Sequence, residues 1–155
     1  MFGPKAAAAT AMLALVASAS LTGCRTVDGM RTAPVNEGVA RSYAADYGDV
    51  TRAAYQAVQS LNLTVEEARQ IDPATWHVIA TAGVSAFSWG ELVRVSVQRH
   101  PAMPVSVWVL TRRRLVTNFT AKDDYSPDIF QRMDSTLRLL RRPAAWSAPV
   151  TPPAP

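Results

Sequence analysis

Valine recurs at every second position in residues 91–98 and again in residues 105–110, and this alternation constrains the fold more than any other feature. Successive side chains of a β-strand point to opposite faces, so a period of two predicts two half-buried strands. On the first strand the polar face carries Arg94, Ser96 and Gln98. The short connection contains two prolines and predicts an antiparallel hairpin, whose valine face needs an apolar partner.

Two amphipathic segments can supply that partner. Residues 49–61 carry alanine, valine and leucine at helical spacing, and Asn62 can end this helix in the left-handed conformation. A second helix is predicted over residues 127–141, with Ser126 as its N-cap and Pro127 at its first position. Further strands are predicted over residues 41–47, 63–67 and 76–82.

The order of these elements predicts an α+β fold class. We expect a two-layer sandwich, in which an antiparallel sheet of about four to five strands carries two helices packed on one face. Residues 112–122 have no clear period, and either extend the sheet or cover one of its edges.

Cys24 is the only cysteine of the chain and follows an uncharged, alanine-rich segment. Residues 1–23 have the short basic start and apolar run of an export signal, and the run is shorter than the ~20 residues that span a bilayer. The order Leu21-Thr22-Gly23-Cys24 resembles the lipobox of bacterial lipoproteins. This resemblance implies cleavage between Gly23 and Cys24, and stable anchoring by two or more acyl chains on Cys24.

Arg25 indicates a cellular location, and the composition of the residues after it indicates how the chain divides into a tether, a domain and a tail. Arg25 rather than Asp implies, by analogy with Gram-negative sorting, the outer membrane with the domain in the periplasm. Residues 24–40 predict a flexible tether and residues 41–142 the α+β domain. Residues 143–155 contain five prolines and predict a disordered tail.

The chain also resembles a family of small bacterial lipoproteins of unknown function. The likeness rests on the lipobox, the hairpin, the terminal helix and a pattern in which Val50 and Ala53-Ala54 precede Leu61-Asn62-Leu63-Thr64-Val65. It covers about residues 42–140, and residues 112–125 are longer than the family pattern. The family has no known catalytic residues, so the resemblance implies none here.

Composition and residue spacing argue against several kinds of chemistry. Sixteen basic against 12 acidic residues give a net charge of +4, too mild to indicate nucleic-acid binding. Lipidation of Cys24 would leave no thiol for a disulfide or a metal. His77 and His100 are expected to be solvated or hydrogen-bonded, with a metal or proton-transfer role as the alternative. We therefore predict no cofactor, no metal and no catalytic residue.

Two pairs of adjacent acids could suggest carboxylate chemistry. Glu66-Glu67 and Asp123-Asp124 are neighbours in sequence, and adjacent residues of a strand point to opposite faces. Glycosidases instead place two carboxylates across a bound sugar. We expect both pairs to be solvated surface.

Two features are candidates for an interaction surface. Arg112, Arg113 and Arg114 form a basic run that either protects a sheet edge or binds anionic headgroups and phosphorylated glycans. Trp146 lies in the proline-rich tail, where an aromatic side chain can act as a docking anchor.

The sequence leaves three functions open, in the following order. The first is a non-enzymatic binding or structural module of the cell envelope, with a protein partner. The second is a small-ligand or lipid carrier, in which Phe87, Trp89 and Trp108 line an apolar cavity. The third is an enzyme of unknown class. The oligomeric state is not indicated.

We expect Cys24→Ala to release the protein from membranes or to leave its signal uncleaved, because the lipid is the predicted anchor. Fractionation and mass spectrometry of the intact protein measure both effects. Ser20→Ala, which leaves the lipobox unchanged, is the matched control. Normal membrane attachment of Cys24→Ala would contradict the lipoprotein prediction.

Overall fold

Five strands form one antiparallel sheet in the order β1-β5-β4-β3-β2. The computed structural model describes residues 26–83, 90–101, 104–114, 122 and 124–141. The sheet and its helices confirm the predicted α+β class. In chain order the elements are α1 (Val27–Thr32), β1 (Val39–Tyr43), α2 (Tyr47–Ser60), β2 (Thr64–Asp72), β3 (Thr75–Thr81), β4 (Glu91–Gln98), β5 (Val105–Arg113) and α3 (Ser126–Leu140).

The predicted valine hairpin forms between β4 and β5. Val95 pairs with Val109 and Val97 with Val107, so the valines of both strands share one face. Strand β5 continues to Arg113, which extends the sheet into the ambiguous segment. Residues 115–121 lie outside the described residues.

The valines join α2 and α3 in the main buried cluster. Full burial of one aliphatic side chain contributes about 1.5–3 kcal/mol, so a cluster of this size dominates the folding free energy. Alanine supplies three of the five buried side chains of α2, which lets its backbone approach its neighbours closely. The helical contributors are Val50, Ala53, Ala54, Ala57, Val58, Ile129, Phe130, Met133 and Leu137.

The helix ends agree only in part with the sequence analysis. Asn62 has a φ of 56°, the left-handed conformation predicted to end α2. Ser126 is not the N-cap of α3, because the helix already begins at Ser126 and Tyr125 takes the cap position. Asp124 instead accepts hydrogen bonds from the backbone N–H and the hydroxyl of Ser126.

A second buried cluster forms around α1. Met30 packs with Ile79, Leu92 and Leu110, which alternate along their strands with residues of the main cluster. Alternate residues of a strand face opposite ways, so α1 lies across the face opposite the valines. We call residues 26–38 the strap. A flexible tether was predicted over residues 24–40. For the strap this prediction is wrong, because these residues pack on the sheet.

Arg94 attaches the strap to β4. Its guanidinium donates from Nη1 to the carbonyl oxygens of Met30 and Ala33, at 2.6 and 2.7 Å, and from Nη2 to that of Pro34 at 2.5 Å. The last carbonyl groups of a helix lack partners within it, and a cation complements the negative helix end. Burial lowers the pKa of Arg94, and Glu37 opposes this effect.

The polar face of β4 is therefore not exposed. Arg94 and Ser96 are each only 1% exposed, so the prediction of a half-buried strand is wrong. Where the strap enters β1, Gly38 has a φ of +115°, and a Cβ there would lie 2.2 Å from the carbonyl oxygen of Val109. Only glycine fits this approach.

We expect Arg94→Met to lower the free energy of unfolding by about 2–4 kcal/mol, because three backbone carbonyls lose their donor. Urea unfolding measures this change, and hydrogen exchange of the strap amides should accelerate. Arg52→Met, on the exposed side of α2, is the control. An unchanged exchange rate in the strap would contradict the anchoring role of Arg94.

Candidate functional site

The two edge strands of the sheet differ in how they are protected. Strand β2 carries four charged residues and two register shifts, both of which discourage pairing with another strand. Strand β1 pairs with β5 in unbroken register and has one charged residue, Arg41. In an antiparallel pair every second residue directs its N–H and C=O away from the partner, so β1 presents these groups outward.

Helix α3 runs alongside this open edge. The guanidinium of Arg41 lies 4.5 Å from the centre of the Phe130 ring and donates to Asp134 Oδ2 at 2.8 Å. Farther along both elements, Arg141 Nη2 donates to the carbonyl oxygen of Ala44 at 2.6 Å. These contacts hold α3 beside β1 from near the middle of the strand to just beyond its end.

A pocket of about 260 Å³ opens between the end of β1 and α3. We call it the β1–α3 groove; its lining residues are Tyr43, Asp134, Leu137, Arg138 and Arg141. Leu137 is buried and gives the groove an apolar part.

The charges of the groove do not cancel. Asp134 is its one acid, and it pairs with Arg41. Arg138 Nε donates to the backbone carbonyl of Asp134 at 3.2 Å. Among the described residues, no salt bridge involves Arg138 or Arg141. The groove therefore has a positive rim.

Tyr43 places a hydroxyl group at this site. The residue is 7% exposed, and its buried hydroxyl oxygen has no partner at hydrogen-bond distance, although the side chains of Arg41 and Asp134 lie near it. Burial raises the pKa of Tyr43, and the nearby charge of Asp134 raises it further. The phenol therefore stays protonated at physiological pH and can donate a hydrogen bond.

A second group of polar side chains lies on the strap side of the sheet. Glu67 Oε1 accepts hydrogen bonds from Arg69 Nε at 2.5 Å and from His77 Nε2 at 2.8 Å, and Oε2 accepts from Arg31 Nε at 2.6 Å. The His77 contact and the two arginines hold the pKa of Glu67 at about 2. Burial lowers the pKa of His77, although Glu67 opposes this. His77 is thus hydrogen-bonded, as predicted, but buried.

The adjacent acids Glu66 and Glu67 do not face opposite ways, and that prediction is wrong. Glu66 accepts from Thr81 Oγ1 at 2.9 Å, and Glu67 contacts His77, which lies on the same face of β3. A bulge between Val65 and Glu67 inserts one residue and turns both carboxylates to this face.

The predicted basic run lies at the end of β5, and Arg112 contributes to the fold. Arg112 Nη2 donates to Glu37 Oε1 at 2.5 Å, and Nη1 to the carbonyl oxygen of Gly29 at 3.4 Å. The backbone N–H of Arg114 donates to Gly90, and its buried Nε has no partner. The interaction surface at Arg112, Arg113 and Arg114 stays a prediction.

Several other predicted residues cannot be placed at this site. Gly23, Cys24, Asp123 and Trp146 lie outside the described residues, as do Phe87 and Trp89. His100 is exposed, and its Nε2 lies 3.1 Å from the hydroxyl of Ser106. The β1–α3 groove was not predicted from the sequence. The only sequence feature that could have indicated it is a tyrosine on the inward face of a strand. The arginines are not informative, because arginines near the C-terminal end of a helix are already expected from the helix dipole.

The chain matches no protein-family model and no curated protein. The resemblance to a lipoprotein family therefore stays a prediction. In the part of the chain that the structure describes, no helix has the length and apolar character to cross a membrane. Within the same part, no group of three or more histidine and acidic side chains could hold a metal ion.

We expect acid to destabilise the protein through His77 and Glu67. The pKa of His77 is lowered from 6.5, so below that pH the unfolded chain binds more protons and stability falls. Glu67 contributes fully above 4.5, and its contribution is lost as the pH falls toward about 2. Urea unfolding from about pH 8 down to about pH 3 measures both effects.

The variant Glu67→Gln should remove the part of this pH dependence that lies below about pH 4.5, where the Glu67 carboxylate titrates. Glu66→Gln is the matched control, because it removes the neighbouring carboxylate, which contacts Thr81 and not His77. The same acid slope in wild type and Glu67→Gln would contradict the assignment.

Proposed function

We propose that this protein is a membrane-tethered, non-enzymatic binding module of the cell envelope, and that the β1 edge is its contact site. The observation that carries the proposal is the outward row of backbone groups on β1, beside the β1–α3 groove. A lipid on Cys24 would hold the domain at the outer membrane, in the periplasm. The resemblance of residues 21–24 to a lipobox supports this anchor.

Strand addition is the binding mode that suits this edge. An extended segment of a partner can pair with β1 through main-chain hydrogen bonds, while side-chain pockets supply specificity. At about 3.4 Å per residue, the five residues of β1 offer an edge of about 17 Å. Strand β2 is longer, but its charges and bulges oppose the same reaction.

The β1–α3 groove itself is too small to enclose a ligand in the way that a carrier does. Pockets that enclose a small ligand have volumes of about 300–1,000 Å³ and bury most of its surface. The β1–α3 groove has about 260 Å³ and lies at the rim of the sheet. It can hold one side chain or chain end of a longer partner, which fits a contact spread along β1.

We expect a photo-crosslinking amino acid at Ser42 to form a discrete adduct with an envelope protein in native membranes. The same probe at Ala68 on β2 is the matched control, because both residues are exposed and lie on edge strands. Western blots under irradiation and in the dark measure the adducts. Equal adducts from both edges, or none from Ser42, would contradict the proposal.

A further inference from the structure

We infer that the β1–α3 groove binds a carboxylate carried by an extended peptide, through the Tyr43 hydroxyl and the guanidinium groups of Arg138 and Arg141. This inference rests on the proposed function, and it names the chemistry of the partner at the same site. The carboxylate belongs either to an acidic side chain or to the chain end of the peptide.

The charge balance of the groove selects an anion. Arg41 and Asp134 neutralise each other in a direct ion pair. Arg138 and Arg141 have no salt bridge to any described residue, and both line the groove. Guanidinium groups bind carboxylates in a planar, two-point geometry, and such charge-assisted hydrogen bonds are stronger than neutral ones.

The buried hydroxyl of Tyr43 is the second, independent observation. Buried polar groups in folded proteins almost always have a hydrogen-bond partner, so each exception needs an explanation. The hydroxyl group of Tyr43 is buried and unpartnered within a residue that lines the groove. A ligand oxygen in the groove would accept its hydrogen bond.

The position of the groove indicates that the carboxylate belongs to a peptide. Tyr43 is the last residue of β1, so a strand added along this edge would reach the groove at one end. Arg141 also holds the carbonyl oxygen of Ala44, which fixes one wall of the groove just beyond the strand. Main-chain pairing and carboxylate binding would then act on one ligand.

The test uses the mature, full-length protein and one labelled peptide with alternating valine and threonine. The peptide is prepared in four forms: with a terminal carboxylate or amide, and with an internal aspartate or asparagine. Fluorescence anisotropy should show binding about tenfold tighter for one or both carboxylate forms than for the neutral form. The two arms distinguish a chain end from a side chain as the source.

Variants assign the effect to the groove. The double variant Arg138→Gln and Arg141→Gln should lose the carboxylate preference, whereas Arg132→Gln, on the exposed side of α3, should keep it. Tyr43→Phe should weaken binding of the carboxylate peptide and leave the melting temperature unchanged or higher, because it removes an unpaired buried group. A purely structural tyrosine would show the opposite pattern.

Two outcomes would overturn the inference. Equal affinity for the carboxylate and neutral peptides would do so while leaving strand addition at β1, and hence the proposed function, intact. No binding of any form would also overturn it, and the crosslinking result at Ser42 would then decide whether the proposed function fails as well.

Discussion

The contact between Arg94 and the strap determines how much of this sheet is buried. A guanidinium group is costly to bury, and here three carbonyl oxygens of the strap, rather than a carboxylate, accept its hydrogen bonds. The strap held in this way places Met30 over Ile79 and Leu92, on the face of the sheet opposite the valines. Without Arg94 the buried carbonyl group of Met30 and the partly buried ones of Ala33 and Pro34 would lose this donor.

The strap also changes how the domain would sit relative to a membrane. If Cys24 carries the proposed lipid, only Arg25 separates it from Thr26, where the strap begins. Two residues span at most about 7 Å, whereas a tether over residues 24–40 could reach up to about 60 Å. The proposed anchor would therefore hold the domain against the bilayer surface and restrict which partners can reach β1.

The sequence predicted those parts of the fold in which neighbouring residues carry the signal. The valine alternation gave the hairpin, and the helical spacing gave the buried face of α2. The strap was missed because a helix of six residues with one buried side chain has too few residues to show a period. Arg94 was predicted to face solvent because its hydrogen-bond partner, the carbonyl group of Met30, is 64 residues away in the sequence.

The candidate site is hard to predict for a related reason. Tyr43 and Arg138 lie far apart in the sequence, in the first strand and the last helix. Only the pairing of β1 with β5 brings these two elements together. The contrast between the edges then becomes informative. Strand β2 has the charges and bulges that protect an exposed edge, so this fold does protect one of its two edges. Strand β1 has one charged residue and no bulge, so its edge lacks the same protection. A partner that pairs with β1 would account for that difference.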